Sequence, residues 1–175
     1  MRNSSQKMFF AAMAVVCMGL AQSVFASDVI TTSSKVAYLN DQVGTPAMRE
    51  QCTWDSKMAG AIIEQSKGTI VSTDQDIDKV TGKKLKIYVT DIHATGGGRF
   101  SGPKWMNVRG ELTEGGKLIG NFKFFRSTVG GRLETCKTLD YISKAITKDV
   151  INWLKNPSIM PATEAAETKA PEAAK

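Results

Sequence analysis

The sequence predicts an α+β fold: a two-layer sandwich with a mostly antiparallel sheet of about five strands and two helices packed on one face. One observation is the stretch Lys84 to Arg132, where KLKIYVTDIHA, KWMNVRGEL and KLIGNFKFFRS alternate apolar and polar residues as half-buried strands do. A second is the run opened by Glu134, in which Cys136, Leu139, Ile142, Ala145, Ile146, Val150, Trp153 and Leu154 recur at the spacing of one helix face. A third is a helical period between Thr45 and Gly68, carried by Met48, Cys52, Ala59, Ile62 and Ile63.

The two ends of the 175-residue chain stand apart from this domain. Residues 1–26 open with Arg2 and Lys7, continue with an apolar core from Met8 to Leu20, and close on Ala21 to Ala26 with small residues before a cut. That layout is a secretory signal peptide, cleaved after Ala26, and its apolar run is short for a membrane span. Lipidation of Cys17 competes, but Ala14-Val15-Val16 lacks the small residue that usually precedes a lipidated cysteine, so anchoring through Cys17 is disfavoured. Residues 158–175 reduce to Ala, Glu, Lys, Thr and Pro with only Ile159 and Met160 as larger apolar groups, the composition of a disordered tail. Residues 27–157 form a single domain.

Taken in order, Ser27 to Ser34 is polar and reads as loose, and Lys35 to Leu39 as a short first strand ended by Asn40-Asp41-Gln42. Thr45 with Pro46 starts the first helix, because the hydroxyl can accept from a first-turn amide and proline has no amide to leave unsatisfied. Gly68 stops it, and Thr69 to Thr73 is a second strand. In the central stretch, Leu85, Ile87 and Val89 lie on one face and Lys84, Lys86, Tyr88 and Thr90 on the other. Met106, Val108 and Leu112 oppose Trp105, Asn107, Arg109 and Glu111 in the same way; Leu118, Phe122 and Phe124 oppose Lys117, Asn121 and Lys123, with Gly120 leaving a gap on the apolar side. The turn Thr113-Glu114-Gly115-Gly116 is a hairpin signal, since its glycines can take the positive φ of a tight turn. Asn156-Pro157 ends the last helix.

Composition narrows the function classes. Residues 27–157 hold 19 Lys and Arg against 14 Asp and Glu, spread along the chain rather than clustered with stacking aromatics, which argues against nucleic-acid binding. Cys52 and Cys136 are an even pair in an exported chain and are expected to form a disulfide tying the two helices together; two thiols and a single histidine do not make a metal site. Asp74, Asp76 and Asp78 alternate like calcium ligands, yet Lys79 and Leu85 stand where such a loop needs glycine and a carboxylate, so they read as a solvated acidic turn.

Few residues suggest chemistry. His93 follows Asp91 by two, and Ser101 lies beyond the glycines, so an exported hydrolase can be written down, although nothing supplies an oxyanion site. Gly96, Gly97, Gly98 and Arg99 could cradle an anion, but the loop runs from strand to strand and lacks the lysine signature of phosphate loops. With Trp105 and Arg109 on the wet face, they make a candidate contact surface.

The order of elements from Lys35 to Pro157, the hairpin, the last helix ending in Trp153-Leu154 and the signal peptide resemble small Gram-negative envelope proteins with a fold like the amino-terminal domain of TolB, shared by the CsgG and PelC secretion components and by envelope lipoproteins. That resemblance implies a non-catalytic domain that docks other envelope proteins or assembles into rings. Those proteins are usually lipidated near the mature start, and Cys17 departs from that pattern. The expectation is a periplasmic protein that binds another envelope protein, with no cofactor, no metal and no nucleic acid, and self-association as an option. A hydrolase using His93 and a ring-forming secretion accessory are the alternatives.

Overall fold

The computed structural model describes residues 29–94, 102–128 and 134–161. Its elements are β1 (Ile30–Ser33), β2 (Ala37–Tyr38), α1 (Pro46–Gln51), α2 (Trp54–Gln65), β3 (Ile70–Thr73), a short 3-10 helix (Ile77–Lys79), β4 (Lys83–His93), β5 (Lys104–Glu114), β6 (Lys117–Thr128) and α3 (Thr135–Leu154). The α+β architecture is as expected, but the sheet has six strands rather than about five. They run β3-β1-β4-β5-β6, with β2 also paired to β4. The long β4–β5 and β5–β6 ladders are antiparallel, whereas β1 pairs in parallel with β3 and β4, and β2 in parallel with β4.

The added strand is β1, in a segment whose polarity suggested a loose end. It lies between β3 and β4, so its backbone groups have partners on both sides. Thr32 is buried and its hydroxyl donates to the Leu85 carbonyl at 2.8 Å, which removes the cost of enclosing a polar side chain there. The run expected as a first strand, Lys35 to Leu39, forms only β2, extended by a bond from the Leu39 amide to the Val89 carbonyl at 2.9 Å.

The single helix expected from Thr45 to Gly68 is two. Thr45 does cap α1, its hydroxyl accepting from the Met48 amide at 3.2 Å, but Cys52 is extended and α2 starts at Trp54. The break has a packing cause. Residues two apart in a helix point to different sides, and here Cys52 and Trp54 are both buried. Interrupting the helix lets Cys52 reach Cys136 in a disulfide while Trp54, Met58 and Ile62 enter the core. Gly68 ends the connection to β3 with a φ of +89°, as expected of glycine there.

A second correction concerns β6. Leu112 pairs with Gly120 but Thr113 with Leu118, so Ile119 is an extra residue in a bulge. An extra residue reverses the alternation on one side of it. Leu118 therefore sits opposite wet-face Thr113, and Ile119 packs against the core in its place.

The core lies between the sheet and the helices. Leu85, Val89, Met106, Val108 and Leu112 from β4 and β5 meet Leu139, Ile142, Ile146 and Val150 from α3. Two glycines shape this layer. Gly110 is opposite Phe122, whose ring would lie 2.3 Å from a β-carbon at 110, and the gap at Gly120 is filled by Trp153 and Pro157. Phe122 in turn meets Phe124 and Trp153 at 4.8 and 4.9 Å between ring centroids.

Gly110→Ala is expected to lower stability by about 1–3 kcal/mol, because the new methyl meets the Phe122 ring. Gly60→Ala, exposed within α2 with open space around it, is expected to raise stability by about 0.5–1 kcal/mol. Denaturant midpoints of the two variants should move in opposite directions. Burial pushes the Tyr38 phenol up to about 12, so the fold prefers its neutral form. Its contribution is complete below the ordinary tyrosine value of about 10 and is lost as pH rises toward 12. Phenolate absorbance should show a late-titrating tyrosine that disappears in Tyr38→Phe.

Candidate functional site

The helices cover one face of the sheet; of the residues singled out from sequence, Asp91, His93, Trp105 and Arg109 lie on the other. Strand register lays them out in rows across β4, β5 and β6. The rows are His93–Trp105–Ser127, Asp91–Asn107–Phe125, Tyr88–Arg109–Lys123 and Lys86–Glu111–Asn121. A register shift between Val89 and Asp91 allows this, since it brings Asp91 and His93 onto the face occupied by Tyr88.

Trp105 anchors one end of the face. Its indole nitrogen donates to Asp91 Oδ2 at 3.1 Å, and the His93 ring stacks on it with 3.8 Å between centroids and 9° between planes. The carboxylate of the pair written down for catalysis thus orients the tryptophan, and the imidazole forms an aromatic platform. Ser101, the serine of that reading, and the contact residues Gly96, Gly97, Gly98 and Arg99 lie outside the described residues.

Arg109 is half-buried in the middle of the face. The Asn121 amide points away from β5, to the Ser158 carbonyl at 3.0 Å, so Asn121 and Glu111 are a non-hydrogen-bonded pair. Two residues along, Arg109 and Lys123 have the same relation, the one that brings side chains closest. Burial lowers the Lys123 amine below the usual lysine range, and the Arg109 charge lowers it further. Beside them the Tyr88 hydroxyl donates to Glu111 Oε1 at 3.0 Å. Burial raises the Tyr88 phenol above its ordinary value, and the bond and charge of Glu111 add to the effect.

Tyr88 and Glu111 form a wall between two hollows. A small one, about 120 Å³, is lined by Arg109, Asn121, Lys123 and Met160. A larger one, about 300 Å³, is lined by Ala37, Leu39, Ile77 and Lys86. Met160 is held at the small hollow by its amide, which donates to Asn121 Oδ1 at 2.5 Å. Ser158 and Met160, at the start of the segment expected to be disordered, are therefore tied to β6.

Sequence reasoning picked out Trp105 and Arg109, and both are on this face. It also picked out Asp91 with His93, as a catalytic pair, and missed the neighbours Tyr88, Lys123 and Met160. The first two could have been found by pairing the strands outward from the Glu114–Lys117 hairpin; Met160 had no signal. Of the acidic turn, Asp76 accepts from the Asp78 amide at 3.1 Å and caps the 3-10 helix, and Asp78 pairs with Lys86, which holds its carboxyl below the ordinary range. These are the roles of a solvated turn. Among the described residues no group of three His, Cys, Asp or Glu is placed to hold a metal ion. Among them, too, no helix is long and apolar enough to cross a membrane.

No family model matches this chain, and no curated protein matches it. Its structure is similar to that of the PelC dodecamer from Paraburkholderia phytofirmans, at 13% identity and a TM-score of 0.45, over 70% of this chain and 88% of that one. A DUF330 protein from Xanthomonas campestris aligns at 7% identity and 0.48, over 72% and 82%. Lipoprotein GNA1162 from Neisseria meningitidis aligns at 13% and 0.43, over 71% and 98%. Likenesses at these scores carry no argument about function, and the TolB-like fold stays a resemblance.

Replacing Glu111 with Gln should bring the Tyr88 phenol back part of the way toward its ordinary value, because the carboxylate charge goes while burial, the larger cause, stays. Phenolate absorbance against pH reads this directly. An unchanged titration would mean that Glu111 does not act on Tyr88.

Proposed function

We propose that this chain is an exported protein of the bacterial envelope that acts by binding another protein through the open face of its sheet, without catalysis and without a cofactor. The supporting observation is the composition of that face. Trp105, Tyr88 and Arg109, residue types that carry much of the binding energy at protein interfaces, sit within three adjacent rows, and among the described residues no α-helix packs over them. Their side chains are braced: Trp105 by Asp91 and His93, Tyr88 by Glu111. Bracing lowers the entropy lost when such groups are immobilised by a partner.

Export rests on the signal-peptide layout of residues 1–26 and on the Cys52–Cys136 disulfide, which is maintained in an oxidising compartment such as the periplasm. Cleavage after Ala26 without a lipid on Cys17 is part of the proposal, and the mass of the mature N-terminal peptide decides it. Self-association through the same face belongs to it as well.

The test is affinity capture from periplasmic extract with the wild-type protein, with Arg109→Glu and with Trp105→Ala, each variant first shown to keep its disulfide and its melting temperature. One protein should be recovered by the wild type and weakened roughly tenfold or more by either substitution, as loss of an interface anchor predicts. Equal recovery with all three proteins, or none with any, overturns the reading. Recovery of the same chain would make the partner a second copy.

A further inference from the structure

On the opposite side of the molecule, away from the open sheet face, α3 carries a feature that the proposed function does not use. A cleft of about 670 Å³, within the range of about 300–1,000 Å³ typical of ligand-sized sites, runs over α3 between α2 and β6. Its wall includes Ala61 of α2 and Ala145 of α3, whose small side chains leave it open. Tyr141 also lines it and is 64% exposed, among the most exposed large apolar groups of the described residues.

The charges around this cleft are unevenly matched. Asp140 is taken by Lys57 of α2 at 2.6 Å, and Asp149 by Arg126 of β6 at 2.7 Å. Both α3 carboxylates are thus engaged by cations from other elements. Lys144 and Lys148, four residues apart, project into the same cleft, and neither makes a hydrogen bond or ion pair among the described residues. Asp140 is four residues before Lys144 and could have matched it along the helix, but it is turned toward α2. Two like charges one turn apart repel, and a bound anion relieves that repulsion.

We infer that this cleft binds an acidic segment of a partner protein, with carboxylates on Lys144 and Lys148 and an apolar or aromatic side chain against Tyr141. The chemistry selects a peptide over a lipid surface. The site is a hollow with a partly apolar wall, which takes up a peptide side chain in a way that a bilayer surface does not. The inference is independent of the open face, because neither Trp105 nor Arg109 contributes to it.

Fluorescence anisotropy with labelled octa-L-glutamate at low ionic strength tests it, using the oxidised wild-type protein, Lys144→Glu/Lys148→Glu, Tyr141→Ala, and Lys84→Glu on the sheet as a control. The double charge reversal should weaken binding roughly tenfold or more and Lys84→Glu hardly at all, while Tyr141→Ala should weaken a peptide in which one glutamate is replaced by phenylalanine more than it weakens octa-L-glutamate. Tyr141, Lys144 and Lys148 are exposed and Lys84 is half-buried, and a preserved melting temperature shows that each variant folds. The inference is overturned if octa-L-glutamate does not bind, or if Lys84→Glu weakens it as much as the double reversal. It is also overturned if phosphatidylglycerol vesicles bind the wild type and lose that binding in the double variant.

Discussion

Everything in this molecule is placed by the backbone of β4. It pairs with β5 along one edge, and its other edge accepts two strands in succession, β1 at Lys83 to Leu85 and β2 at Tyr88 and Val89. A central strand needs a partner for every amide and carbonyl, and β4 obtains them from segments before and after it in the chain. Parallel pairing of β1 with β3 requires a long crossover, and α1 with α2 supplies it. The antiparallel meander needs only a tight turn between β5 and β6, at Gly115 and Gly116, both at positive φ. The helix layer is therefore a consequence of how β1 reaches β3, completed by α3 after the meander ends.

That layer is held to the sheet by shape as much as by apolar area. Phe122 occupies space that Gly110 leaves free, and Trp153 and Pro157 occupy space over Gly120. The same contacts determine what the other face looks like. With Pro157 seated on Gly120, the chain passes the β6 edge and delivers Met160 to the small hollow beside Arg109. A packing detail of the core thus fixes one wall of the candidate site.

Much of the fold was legible because its signals are local. The alternation in β4 and β5, the hairpin glycines, the Thr45–Pro46 start and the period of α3 each follow from residues a few positions apart. What was not legible depends on distant partners. β1 is polar and finds its partners only at a distance, in the backbones of β3 and β4 and in the Leu85 carbonyl that accepts the Thr32 hydroxyl from 53 residues away. The helix break at Cys52 reflects competition between a disulfide to Cys136 and the burial of Trp54, neither of which has a periodic signature. The bulge at Ile119 exchanges its role with Leu118, two residues that alternation alone ranks the wrong way round. Of the site, Trp105 and Arg109 were visible as large groups on a wet face, whereas Lys123 and Met160 acquire meaning only through register and the path of the chain after α3.

The two exposed sides differ in how their charges are used, and this separates what each can recognise. On the sheet face, Tyr88 donates to Glu111, Trp105 to Asp91, and Lys86 is paired with Asp78. A partner covering these pairs gains little from their charge, because covering satisfied pairs returns about what their desolvation costs. Aromatic surface and shape would decide affinity on that face. On the helix side, Asp140 and Asp149 are engaged elsewhere while Lys144 and Lys148 are not, so attraction between opposite charges remains to be gained. The difference arises from strand register and helix packing. Register sets opposite charges and polar groups side by side across β4 and β5, whereas packing turns the carboxylates of α3 toward α2 and β6 and leaves its lysines facing outward.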